Sequence, residues 1–171
     1  FKLDDATVFI AWHNTIYAHC LAAEAIRKAD PDAKIGMAPT GRICTPATDS
    51  PADIAAARAA TFAVEDGEWA FTYTMALDPL CGRGWPNVAG GQVQRVMNAI
   101  PKEQLDALPL GRLDFLGMNI YNSIAVRAGA DGKPEFCTRP VGHPRTAIGW
   151  PITPEAMVWG PRFLHERYGL P

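Results

Sequence analysis

The sequence predicts an α/β chain with parallel strands, one that forms the middle of a larger fold. Three observations lead there. Helical and strand-like stretches alternate in the order helix, strand, helix, strand, helix. The segments between the strand-like stretches are long enough for the crossovers that parallel pairing requires. Only two core strands are visible, whereas a closed βα barrel needs eight and about 250 residues, and an open doubly wound sheet about five or six. Two parallel strands alone leave their edges uncovered.

The first helix is read over residues 5 to 29. Phe9, Trp12, Ile16, Cys20 and Ala23 recur at spacings of three and four, which makes one apolar face. Asp4 or Asp5 caps its start, and "DPD" at 30 to 32 stops it. "AKIGMA", 33 to 38, is a short apolar run with the character of a buried strand, ended by Pro39. "TGRICTPATDSP", 40 to 51, is a loop rich in Thr, Pro, Ser and Gly. Ser50 then caps a second helix, with Pro51 at its first position and Asp53 in its first turn, running into the sixties or seventies.

After a loop at "LDPLCGRGWPNVAGG", "GQVQRVMNAI" and "PKEQLDAL" are short helices. "LDFLGMNIYNS", 113 to 123, is the second strand. Its apolar run ends in Asn119 and Tyr121, two polar groups in phase, so a polar site is expected beside them. "AVRAGADGKPEF" is a hairpin turning at Asp131-Gly132, and "TRPVGHPRTAIGWPI" is irregular. The last helix is expected to start with Thr153 as cap, Pro154 first and Glu155 early, to kink at Gly160-Pro161 and to end at Gly169.

Charge excludes some partners. The 171 residues are 48% hydrophobic and 20% charged, with 16 basic and 18 acidic side chains and a net charge of −2. No basic block is present, so neither nucleic acid nor an anionic membrane surface is an expected partner. No apolar run of about 18 residues exists to span a membrane. The start "FKLDDATVF" lacks a basic segment followed by an apolar one, and lacks Met, so a signal peptide is expected to be absent or removed. Cys20, Cys44, Cys81 and Cys137 are irregularly spaced, without a CxxC pair. They read as reduced thiols in a cytoplasmic setting.

Six stretches carry a resemblance. They are "HNTIYAHCLAAEAIR", "AKIGMA", "DSPADIAAARAA", "LDPLCGRGWP", "LDFLGMNIYNS" and "GWPITPEAMVWGPRFLHERYGLP". In this order and at these spacings they resemble glycoside hydrolase family 1, the β-glucosidase family, over nearly the whole chain. The resemblance implies a partial (β/α)8 TIM barrel, from about the fourth helix to the sixth, with 1–171 as a single, incomplete segment of it.

It also implies a retaining β-glycosidase acting on a β-glucoside or oligosaccharide. Such enzymes use two carboxyl groups about 5–5.5 Å apart, one as acid/base and one as nucleophile. The family carries them in Asn-Glu-Pro and Glu-Asn-Gly motifs, and neither motif occurs here. By their place in the family, the first would precede Phe1 and the second would follow Pro171. The chain alone is therefore expected to be inactive, with no catalytic glutamate, metal ligand or cofactor of its own. Its partner would be the remainder of the same barrel. The alternative is a non-catalytic fragment, a sugar-binding half-barrel that self-associates.

Within that resemblance, Tyr121 matches a tyrosine that donates a hydrogen bond to the nucleophile and favours its charged form. Asn119 would line the sugar pocket, and Thr40, after the fifth strand, would face the aglycone. Each has a plainer alternative: a strand-end tyrosine packed on a helix, a turn amide, and a loop threonine, the last favoured because "APTG" departs from the family pattern. His13, His19, His143 and His165 have no metal or triad spacing, and the histidines of the first helix read as packed or capping groups. Glu65, Asp66 and Glu68 read as a solvated helix end, and Gly90-Gly91 is no phosphate loop. Trp85 and Trp150 have faces that suit a sugar. Trp85 stands where the family has Tyr, and Trp150 is expected to lock its loop in place.

Overall fold

The computed structural model describes residues 3–65, 67–88 and 91–171. Asp66 of the acidic run and Gly90 of the Gly-Gly pair lie outside them. The chain divides into two compact units that interleave along the sequence: 1–39 with 64–117 and 170–171, and 40–63 with 118–169.

The first unit is built on α1 (Asp5–Ala29). The Asp4 carboxylate accepts the Thr7 N–H at 2.9 Å, which satisfies one of the free donors of the first turn. Phe9, His13, Ile16, Cys20 and Ala23 are buried along one stripe. His13 takes the place that the pattern gave to Trp12. Trp12 is half-buried because its indole N–H must reach a polar partner, the Met75 carbonyl at 3.3 Å. Phe9 packs with Trp69, Met75, Val88, Val93 and Met97 to form the core. Trp69 belongs to a short 3-10 turn, Met75 to α3 (Tyr73–Leu77), and Val93 and Met97 to α4 (Gly91–Asn98). The helix α5 (Lys102–Asp106) comes next, and α1 packs against the tight turn Leu108–Gly111.

Two short parallel strands complete this unit, β1 (Gly36–Met37) and, later in the chain, a strand at Phe115–Leu116, with Gly36 opposite Phe115 and Met37 opposite Leu116. They are shorter than the apolar runs that predicted them. Pro39 has no N–H to continue the ladder, so regular pairing stops there. Asp114 ties the pair to α1: its carboxylate accepts the Ile35 N–H at 2.9 Å and the Arg27 guanidinium at 2.9 Å.

The second unit holds a three-stranded sheet and two helices. A strand missed in the sequence, β2 (Cys44–Pro46), lies within the predicted loop. Only three residues long and closed by Pro46, it carries too little pattern to be read in sequence. With the Phe115–Leu116 strand as β3, the remaining strands are β4 (Ile124–Ala128) and β5 (Pro134–Phe136). The order is β2-β4-β5, parallel between β2 and β4, antiparallel between β4 and β5. The hairpin turns as predicted, with Gly132 at a φ of 77° that suits glycine.

Helix α2 (Pro51–Phe62) starts as the sequence predicts, Ser50 Oγ accepting the Asp53 N–H at 3.1 Å, and ends at Phe62, at the early edge of the expected range. Helix α6 (Ala156–Tyr168) ends at Gly169, whose N–H reaches the His165 carbonyl at 2.8 Å. Its start differs from expectation. Thr153 does not cap it; the Thr153 hydroxyl instead accepts the Ser123 N–H. Pro161 is carried inside the helix. The core here is Cys44, Ala56, Ala57, Ala60, Val126 and Phe163. The chain is thus mixed α/β with parallel strand pairs, and its described residues form no closed barrel.

Candidate functional site

The three residues singled out in sequence all fall in the second unit. Thr40 and Asn119 form an isolated parallel bridge, and the Thr40 hydroxyl donates to the Asn119 carbonyl at 3.3 Å. Asn119 and Tyr121, two residues apart, are both exposed, Tyr121 to 62%. Tyr121 lies between β3 and β4, and at this exposure it is not the half-buried, helix-packed side chain of the plainer alternative. The Tyr121 ring instead meets Trp150, itself 42% exposed, with ring centroids 5.3 Å apart and planes tilted by 55°. Thr40, Asn119, Tyr121 and Trp150 thus supply a hydroxyl, an amide and two rings without a carboxylate among them. The four residues hold no acid/base pair of their own.

The chain just past Tyr121 is held tightly. Ser123 is buried, and its N–H donates to Thr153 Oγ1 at 2.8 Å. Its carbonyl accepts Arg139 Nη2 at 3.1 Å, and its hydroxyl lies 3.2 Å from Thr45 Oγ1. Arg139 Nη1 also pairs with Glu155 at 3.1 Å. Sequence reading missed this set. Arg139 sits in an irregular stretch without a motif, and Thr153-Pro154-Glu155 imitates a helix start.

Other candidates resolve into structural roles. Trp85 packs edge-on against Phe9 at 5.2 Å, in the core of the first unit. His13 is buried with Nε2 2.7 Å from Gln104 Oε1, and His19 Nε2 lies 3.0 Å from the Gly111 carbonyl. Glu65 and Glu68 are exposed beyond α2. The four cysteines are free, Cys20 and Cys44 buried. Burial pushes the Cys20 and Cys81 thiols up, away from the reactive thiolate. Among the described residues no three His, Cys, Asp or Glu side chains group as metal ligands. None of the described helices is long and apolar enough to cross a membrane.

Parallel strand pairs joined through helices define an α/β chain. The chain belongs to glycosyl hydrolase family 1, whose family model matches residues 1–171. β-Glucosidase A of Thermotoga maritima is 28% identical over 170 residues, 98% of this chain and 36% of that protein. The β-glucosidase of an Agrobacterium species is 29% identical over 165 residues, 94% of this chain and 34% of that protein. A solved structure of the family 1 β-glucosidase from T. maritima superposes with a TM-score of 0.65 at 27% identity, covering 98% of this chain and 36% of that one. The same protein in complex with glucoimidazole gives 0.65 at 28% identity, with the same coverage. The chain therefore spans about a third of the length of these relatives.

Proposed function

We propose that these residues are the stretch from about the fourth to the sixth helix of a (β/α)8 barrel in a retaining β-glucosidase-like hydrolase. The observation that carries this is the exposure of Asn119 and Tyr121 at and just past the Thr40–Asn119 parallel bridge, in a chain matched end to end by the family. In the complete enzyme a carboxylate attacks the anomeric carbon while a carboxylic acid protonates the leaving oxygen. Water then releases the sugar from the glycosyl-enzyme. Tyr121 donates its phenol hydrogen to the nucleophile, Asn119 lines the sugar site, and Thr40 stands on the aglycone side.

The substrate is a terminal β-glucoside or oligosaccharide, a reading supported by the inhibitor-bound T. maritima relatives. The setting is cytoplasmic, in keeping with buried free thiols at Cys20 and Cys44. Without Asn-Glu-Pro and Glu-Asn-Gly motifs, the 171 residues alone do not turn over substrate.

A second reading, a non-catalytic fragment that self-associates, is favoured by the exposed apolar side chains Ile148, Ile152, Met157 and Val158. Intact mass of the protein from its native host separates the two. A mass well above 18.5 kDa, with hydrolysis of an aryl β-glucoside that falls sharply in Tyr121→Phe, supports the enzyme. A mass at that value with no hydrolysis supports the fragment.

A further inference from the structure

The exposed ring pair is carried by two stretches, 119–123 with Tyr121 and 150–155 with Trp150. A buried polar staple joins them. Ser123, Thr153 and Thr45 are 2%, 6% and 1% exposed. The main-chain N–H, carbonyl and hydroxyl of Ser123 are all engaged, by Thr153, Arg139 and Thr45 respectively. One guanidinium spans the two stretches: Arg139 Nη2 on the Ser123 carbonyl and Nη1 on the Glu155 carboxylate, each at 3.1 Å. Tyr121 stands two residues before Ser123, and Trp150 three before Thr153, so little chain separates the staple from either ring.

We infer that Arg139 is a positioning residue, which sets Tyr121 against Trp150 and so the direction of the Tyr121 hydroxyl. This rests on the family 1 reading, in which that hydroxyl meets the nucleophile. The guanidinium suits the task because it is a planar fork with fixed donor directions, whereas an ammonium is a single point charge. Its loss strips a charged donor from the Ser123 carbonyl. The Thr153 and Thr45 bonds remain, so the stretch keeps its place while the rings lose their fixed register.

The test uses the full-length protein labelled with 5-fluorotryptophan, its Trp150 fluorine resonance assigned through Trp150→Phe. Arg139→Ala is expected to shift or broaden that resonance. With an aryl β-glucoside it should lower kcat about tenfold or more, with a smaller change in KM. The acid limb of kcat/KM should move to higher pH, because a misdirected Tyr121 no longer favours the charged nucleophile. Arg139→Lys should recover part of each effect, and Arg127→Ala, on the hairpin, neither. Should Arg139→Ala not fold, Glu155→Gln loosens the same arm and should move the same resonance. An unmoved Trp150 resonance and an unchanged pH profile in the folded Arg139 or Glu155 variants would overturn the inference. A wild-type protein without glycosidase activity overturns the proposed function instead. The fluorine measurement then still decides the role of Arg139: movement supports it and constancy overturns it.

Discussion

The Asp53 carboxylate accepts the Ala128 N–H at 2.8 Å, linking the first turn of α2 to the end of β4 across 75 residues of sequence. Its other oxygen accepts the Thr48 hydroxyl at 2.7 Å. The Ala128 N–H first, and then the Thr48 hydroxyl, hold this carboxyl below its ordinary value of 3.8. A carboxyl lowered in the folded state adds stability above its unfolded value and loses it as pH falls through the folded one. Asp53→Asn should therefore lower the thermal midpoint at neutral pH. It should also flatten the fall in midpoint below about pH 4. Unfolding curves across that range decide it, and an Asn variant that tracks the wild type throughout would refute the link.

Ser50 and Thr153 look alike in sequence, each a hydroxyl ahead of Pro and an acidic residue, yet they do different work. Ser50→Ala removes a helix cap and should cost about 1 kcal/mol. Thr153→Ala strands the buried Ser123 N–H and should cost about 1–3 kcal/mol. Thr153→Ser restores the acceptor and most of that loss. Chemical denaturation of the four proteins checks the order, and Thr153→Ala costing no more than Ser50→Ala would show that Thr153 is only a cap.

The core of the first unit turns on Phe9, which is fully buried and meets Trp69 and Trp85 edge-on at 5.9 and 5.2 Å. Phe9→Ala should cost about 3–5 kcal/mol. Trp85→Phe should cost less and, on the proposed function, leave the sugar affinity of the full-length protein intact, because the Trp85 indole packs with Phe9 in the core. A selective loss of affinity in Trp85→Phe, at unchanged stability, would return Trp85 to the sugar site.

Local signals were legible in sequence where one side chain acts on its own neighbours: Asp4 and Ser50 as caps, Gly132 in the hairpin turn, Gly169 at a helix end. The polar end of "LDFLGMNIYNS" also stood out, because alternation places Asn119 and Tyr121 on one side. Partners distant in sequence left no local trace. The Ser123–Thr153 bond spans 30 residues and misled the reading of the last helix. β2 is defined by its parallel partner β4, and Pro46 and the surrounding loop-like residues hid it. Trp12 and His13 exchanged burial because a distant carbonyl, that of Met75, claims the indole N–H.

Two glycines on the parallel pair of the first unit leave no room for a side chain. Neither has a positive φ, so the reason for glycine is space. A Cβ on Gly36 would lie 2.3–2.6 Å from three ring carbons of Phe115, its partner across the strands. A Cβ on Gly117 would lie 2.9 Å from Ala38 Cβ and 3.4 Å from Ala38 Cα. The two clashes can be relieved to different degrees. Phe115 is 44% exposed, so its ring can swing outward at the loss of a cross-strand contact. Ala38 has no rotamer to change, and giving way there means moving backbone. Gly117→Ala should thus cost about 1–3 kcal/mol, and Gly36→Ala less. Phe115→Ala should relieve Gly36→Ala while leaving Gly117→Ala as costly as before. A double-variant cycle on denaturant midpoints reads this directly. Coupling of Phe115 with Gly36 and none with Gly117 is the expected pattern, and the reverse would show that the strands are spaced by something other than these two contacts.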